Sequence, residues 1–387
     1  MSYRSKHVVH RLLKEGPTVA DISKMIREGF YYRRQRSKVF LYLVPLLALF
    51  YLVPSVQMVL AEQRRARKTG NMEMCYLNYG CSRQWGIFED FNHIVSNAGY
   101  ILYGLVFILL VRWKAHLLPA DNRTDSDHLN KFGLPQQHSI FYTLGICMVL
   151  QGIFSAVFHT CPSNISLQFD TTVMYIMLIL TFIKIYQFRH PDISFNAYNC
   201  MYGFVIILIF EAISIYLNRF VDKMIFYGVF AVLYTSSITF LLIDTYYYGA
   251  LQASFFSSLY IILKRSVMTT DVLYPKRFFV SLLFALLNLC LLVIFLKRSL
   301  EDGAKGLSTP ILVILGSNVF LLLTYYMVRK TVETCQANDG EGTQCRRMLM
   351  RLFSLLFFLS ALLLGLCAAY FYTERQQNRN KTPPESR

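Results

Sequence analysis

Charge is scarce in this chain of 387 residues. Charged residues make up 16% of it against 55% hydrophobic, and the mean hydropathy is +0.38. So apolar a composition over this length excludes an ordinary soluble domain. Among the 8 histidines no His-x-x-x-His pair occurs, which excludes a metal site built on one turn of a single helix. The apolar runs hold no row of arginine or lysine that would line a pore for phosphates. The cysteines number 9, an odd count, so no disulfide framework uses them all.

What the chain does have is long apolar runs, several near the roughly 20 residues that a bilayer-spanning helix needs. Nine are read as spans: 39–60, 92–112, 138–159, 169–187, 201–217, 224–244, 278–296, 309–328 and 350–372. Glu211 lies inside the fifth and Asp244 ends the sixth, so their edges are softer. The expected fold is all-α, a polytopic membrane helix bundle of about nine transmembrane helices. A basic cytosolic segment (1–38) precedes the helical domain (39–372), and a polar tail (373–387) follows it. The residues ahead of the first span are polar and basic rather than laid out as a secretory signal. Within them Val19, Ile22, Ile26 and Phe30 recur at helical spacing. With the run Arg33–Lys38 they read either as an amphipathic helix on the inner leaflet or as a solvated basic flank that fixes topology.

Most of the 39 lysines and arginines fall in loops that this count places inside, which puts the N-terminus in the cytosol. Arg64, Arg65, Arg67 and Lys68 run against the rule. Cys75 and Cys81 then lie in a short outer loop, where oxidising conditions permit a disulfide between them, two unpaired thiols being the plainer alternative. Cys147, Cys161, Cys200, Cys290 and Cys367 read as small apolar residues in or beside spans. Asn164-Ile-Ser166 and Asn380-Lys-Thr382 are glycosylation sequons on the outer side.

Chemistry concentrates in Gly152-Ile-Phe-Ser155-Ala-Val-Phe-His159-Thr-Cys-Pro162 and Gln168-Phe-Asp170. Ionisable groups at membrane depth are costly and mark function by default. Gln151, Ser155 and His159 share a helix face, and a short turn brings Asp170 back towards them. Read chemically, His159 is a candidate Zn²⁺ ligand, Asp170 orients a bound water, and Ser155 hydrogen-bonds Asp170 to fix its direction. A catalytic zinc takes three protein ligands, so these residues alone do not complete a site. Asn92 and Ser96 form a second polar stripe beside Asn97, and hydrogen bonding between packed helices accounts for such stripes without any chemistry.

The combination of Phe91-Asn92-x-x-x-Ser96-Asn97-x-Gly99-Tyr100, Gly152-x-x-Ser155-x-x-x-His159-x-Cys161-Pro162, Gln168-Phe169-Asp170-Thr171 and Arg189-His190-Pro191-Asp192-Ile193 resembles the systemic-RNA-interference-defective transmembrane family. Members are also described as cholesterol-uptake-related proteins. The resemblance runs from about Phe40 to Arg387 and is densest over 86–194. It implies a double-stranded-RNA transporter in the plasma membrane or lysosomal membrane, with the lipid bilayer, double-stranded RNA and cholesterol as partners. A homo-oligomer is a further arrangement it allows.

The family is in turn similar to membrane hydrolases of the alkaline-ceramidase type. There the positions of Ser155, His159 and Asp170 serve a zinc site completed by a His-x-x-x-His. The second expectation is therefore a zinc-dependent lipid hydrolase, inactive without those histidines. The third is sterol binding, for which Leu180, Tyr186 and Arg189, and Val272, Tyr274 and Lys276, fit a loose pattern. Relatives carry an outer β-rich domain and one span ahead of this part and a His-x-x-x-His span after it. The chain is thus expected to be the transmembrane core of a longer protein, with one zinc ligand of three.

Overall fold

In a computed structural model of the chain, the residues described are 27–71, 90–117, 138–163, 166–189, 197–217, 223–247, 275–302 and 308–335, with isolated positions between 75 and 88 and between 356 and 363. The elements are α1 (Arg27–Thr69), α2 (Phe91–Ser96), α3 (Ala98–Leu117), α4 (Ser139–Thr160), α5 (Ser166–Arg189), α6 (Ala197–Leu217), α7 (Lys223–Tyr247), α8 (Pro275–Asp302) and α9 (Ser308–Cys335). Among the described residues no strand forms, apart from one isolated bridge between Trp85 and Phe88.

Helices occupy the first eight expected segments, and the fold is all-α. Among the described residues six helices are long and apolar enough to cross a membrane: Lys38–Thr69, Phe91–His116, Ser139–Thr160, Ser166–Phe188, Phe279–Lys297 and Ile311–Val328. These residues bear out six of the nine expected spans. Ala197–Ile209 is a shorter apolar helix, and the run 350–372 lies almost wholly outside the described residues. Two compact units divide the chain, Met1–Leu323 and Thr324–Arg387. The second contributes the C-terminal part of α9, and everything below concerns the first.

α1 is longer at both ends than the expected 39–60. Its 43 residues begin at Arg27, so the basic run Arg33–Lys38 continues directly into the span. Pro45 and Pro54 lie within it, each removing one backbone hydrogen bond, which a helix packed among neighbours tolerates. Gly70 ends it with a positive φ of 70°, a conformation that costs glycine nothing.

The core lies between α1, α4, α5 and α6. Phe40, Val44 and Ala48 form one face of α1 at i, i+4 and i+8, packed with Phe154 of α4 and Tyr175 and Leu180 of α5. α4 is central, meeting α1, α2, α3 and α5. Its close approach to α3 is made at glycines. A Cβ on Gly104 of α3 would lie 2.8 Å from the carbonyl oxygen of Gly145, and one on Gly152 would lie 2.8 Å from that of Asn97. Small residues at such contacts let two membrane helices touch along their backbones. Elsewhere α7, α8 and α9 are joined by amides. Asn288 and Asn318 exchange reciprocal hydrogen bonds of 3.0 and 2.8 Å, and the Tyr234 hydroxyl donates to Asn288 Oδ1 at 2.6 Å.

Because those neighbours are backbone atoms that cannot step aside, Gly104→Ala and Gly152→Ala are each expected to destabilise the bundle by about 1–3 kcal/mol. Gly203→Ala in α6, where a Cβ meets nothing within 4 Å, is the matched control. It is expected to be neutral or slightly stabilising, as read by thermal unfolding in detergent.

Candidate functional site

The polar residues gather at one end of the bundle, where α1 and α4 end and α2 and α5 begin. A hairpin between α4 and α5 builds it locally. The Ser163 hydroxyl accepts the Ser166 N–H at 3.1 Å while the Ser166 hydroxyl accepts the Ser163 N–H at 2.8 Å, a reciprocal cap on the start of α5. Ser163 Oγ also donates to Glu62 of α1 at 3.3 Å, and Ser166 Oγ to the Cys161 carbonyl at 3.0 Å. With the start of α5 pinned, Asp170 follows one turn later.

Asp170 turns to α4. Gln151 Nε2 donates to its Oδ1 at 2.6 Å, and Ser155 donates a side-chain hydrogen bond to the same carboxylate. The structure therefore brings Ser155 and Asp170 together. It gives His159, one turn further along α4, different company. His159 Nδ1 lies 3.0 Å from Asp90 Oδ2, and the other oxygen of Asp90 meets His93 Nδ1. The two imidazole rings stack with centroids 5.2 Å apart and planes 15° from parallel. Asp90 is buried and holds one histidine with each oxygen.

Ser155 and Asp170 thus meet each other, while His159 meets Asp90. Among the described residues, Asp90, His93 and His159 are the metal-capable group, their ligand atoms all within 4.8 Å of one another. Two imidazoles and a carboxylate form a set that suits Zn²⁺. Neither Asp90 nor His93 is among the candidates drawn from the sequence. The available signal was the spacing Asp90-x-x-His93, which puts the pair on one face as α2 begins.

Asn92, Ser96 and Asn97 serve local structure. Asn92 Oδ1 accepts the Arg83 N–H at 2.9 Å. Ser96 Oγ and Asn97 Nδ2 both donate to the His93 carbonyl, at 2.8 and 2.9 Å. They anchor the turn that carries His93 rather than facing the stripe on α4.

The disulfide expectation is corrected. Cys75 is bonded to Cys161, across a sequence separation of 86, and so cannot pair with Cys81, which lies outside the described residues. The reason is topological: Cys75 lies at the end of α4, where Cys161 directly follows the last turn. Cys161, read from sequence as a small apolar residue, is thus a covalent tie.

These features define a polytopic helical membrane protein with its nitrogen and carboxylate donors collected at one end. The chain belongs to the dsRNA-gated channel SID-1 family, whose model matches residues 6–387. It is 27% identical over 385 residues to Cholesterol uptake protein 1 of Caenorhabditis elegans, covering 97% of this chain and 47% of that protein. To SID1 transmembrane family member 1 of Rattus norvegicus it is 27% identical over 318 residues, covering 80% and 38%. To the Homo sapiens protein of that name it is 29% identical over 228 residues, covering 59% and 27%. The chain spans about half or less of the length of these curated relatives.

Peptide mapping without reduction is expected to recover Cys75 joined to Cys161, unchanged by Cys81→Ser. Cys161→Ser should release Cys75 as a labelled thiol and cost about 2–5 kcal/mol of stability. A Cys75–Cys81 peptide would reverse the assignment.

Proposed function

We propose that this chain forms the membrane-spanning part of a double-stranded-RNA transporter. The observation that carries the reading is the family match over residues 6–387. The structure adds a physical reason for RNA to engage one end of the bundle. α1 runs on to Thr69 and exposes Arg64, Arg65, Arg67 and Lys68 on its last turns, near the Cys75–Cys161 tie and the hairpin. Double-stranded RNA is recognised by its shape and phosphates, and closely spaced cations suit phosphates. Lys184, a cation inside α5, stacks over Phe141 and Phe188 and is therefore engaged by packing. The cations at the end of α1 stand in water, where a polyanion can reach them.

A second reading rests on one observation. A relative matched over 97% of this chain bears the name Cholesterol uptake protein 1, which supports sterol handling by the same bundle.

The test is binding of labelled double-stranded RNA to the full chain in nanodiscs across a series of salt concentrations. The triple variant Arg64→Gln/Arg65→Gln/Lys68→Gln is expected to bind more weakly regardless of RNA sequence. Its log–log salt slope should flatten by about 0.9 for each phosphate that the variant no longer neutralises. An absence of RNA binding by the parent chain, or a slope unchanged in the variant, counts against the reading. A photoreactive sterol that labels the chain while RNA does not bind would favour the second.

A further inference from the structure

We propose that the ends of α3 and α5, with the start of α4, form a site for the headgroup of an anionic phospholipid, and that Lys184 is its central cation. The site lies at the end of the bundle opposite the Cys75–Cys161 bond, because α4 runs from the one to the other. It does not depend on RNA binding.

Lys184 is the charge that topology leaves over. The positive-inside rule accounts for cations at helix ends and in loops, which covers Arg112, Lys114 and Arg189. Lys184 lies instead within the span Ser166–Phe188, a little over one turn, about 7.5 Å, before the end of α5. A cation at such a depth marks function by default. The depth also suits a phosphate. A helix of 24 residues is about 36 Å long against about 30 Å of hydrocarbon, so a lysine stem from this position reaches the headgroup boundary.

The floor of the site is aromatic. Ring centroids of Phe107 in α3 and Phe141 in α4 are 6.4 Å apart, and those of Phe141 and Phe188 in α5 are 6.2 Å apart, so a row of rings crosses the start of α4. Phe188 is 54% exposed, which opens the row to lipid. Lys184 Nζ stands 4.5 Å from the Phe141 centroid and 5.3 Å from that of Phe188. Those faces position the ammonium, whose three donors give it capacity for an anion as well. Lys114 follows Phe107 by two turns on the same face of α3 and is exposed in its last turn.

The charge here has one sign. α3 and α4 contain no acidic residue, and the single one in α5, Asp170, is at the far end. Gln187, beside Lys184 on the helix, is buried with both amide atoms unpaired, so this end also holds hydrogen-bonding capacity that the described residues do not meet. Basic pockets between helices on the cytoplasmic side take lipid headgroups. A headgroup of net negative charge, such as that of phosphatidylserine, complements the site, whereas phosphatidylcholine cancels its phosphate with its own cation.

The test places the full chain in nanodiscs of phosphatidylcholine alone or mixed with phosphatidylserine, and reads thermal unfolding and the lipid retained in native mass spectrometry. Phosphatidylserine is expected to raise the melting temperature by about 4 °C over phosphatidylcholine and to be retained at least about tenfold more strongly. In Lys184→Met the melting-temperature difference should vanish and the retention ratio fall to within about threefold, and Lys114→Gln should lower both in part. Each variant is compared with itself in the two lipids, so a change in its basal stability cancels. Equal behaviour of the two lipids with the parent chain would overturn the proposal, as would a phosphatidylserine preference that survives Lys184→Met. Inorganic phosphate added to the chain in detergent should not shift melting. A full shift from phosphate alone would overturn the assignment to a lipid.

Discussion

The contact between α3 and α4 is the constraint on which the polar end depends. At Gly104, Gly145 and Gly152 the two helices come so close that an added Cβ would run into backbone carbonyls and the side chains of Ile101, Ile108 and Val149. That depth of approach draws Asn97, and with it α2, against the last turns of α4. Asp90 and His93 then arrive beside His159. A bulkier residue at Gly152 would push Asn97 away and open the cluster, although none of its three members would have changed. In lipid there is no hydrophobic drive to hold helices together, so packing at small residues and hydrogen bonds must do so. Measured hydrogen bonds between membrane helices average only about 0.6 kcal/mol, which leaves much of the work to close backbone contact.

The same economy explains how the buried polar groups are distributed. Away from water a polar group needs a partner, and the bundle pairs many of them in small sets, although Gln151 Oε1 is left without one. Gln151, Ser155 and Asp170 make one set between α4 and α5. Asn288, Asn318 and Tyr234 make another across α7, α8 and α9, with the two amides also donating to Phe284 and Ile314 carbonyls of their own helices. The Asp90 set differs in its make-up, one buried carboxylate meeting an imidazole with each of its oxygens.

How much of this could be read in advance followed sequence distance. Ser155 and Asp170 are joined by a short hairpin, so helical spacing and one turn sufficed to pair them. The helices themselves were legible because continuous apolar runs leave few alternatives, although the end of α1 was not. Residues 61–69 are polar and basic, and only the whole helix shows that they continue it. The Cys75–Cys161 bond and the Asp90–His159 contact were invisible for one shared reason. Both join residues far apart in sequence at the end of α4, a matter of packing that no periodicity encodes. Cys81 was the nearer partner for Cys75 along the chain, and nearness in sequence misled.

The disulfide also bears on the charge pattern that the sequence left in conflict. A bond between Cys75 and Cys161 forms under oxidising conditions, which places the ends of α1 and α4 on the non-cytosolic side. The start of α1, with Arg33, Arg34, Arg36 and Lys38, then lies on the cytosolic side, as the positive-inside rule requires. Arg64, Arg65, Arg67 and Lys68 are left at the outer face in breach of that rule. Topology does not explain them there and in fact works against them. Nor does burial, since all four are exposed. This exposed charge beside a covalently fixed surface is the physical ground of the proposed engagement of nucleic-acid phosphates, to which a neutral sterol offers no counterpart.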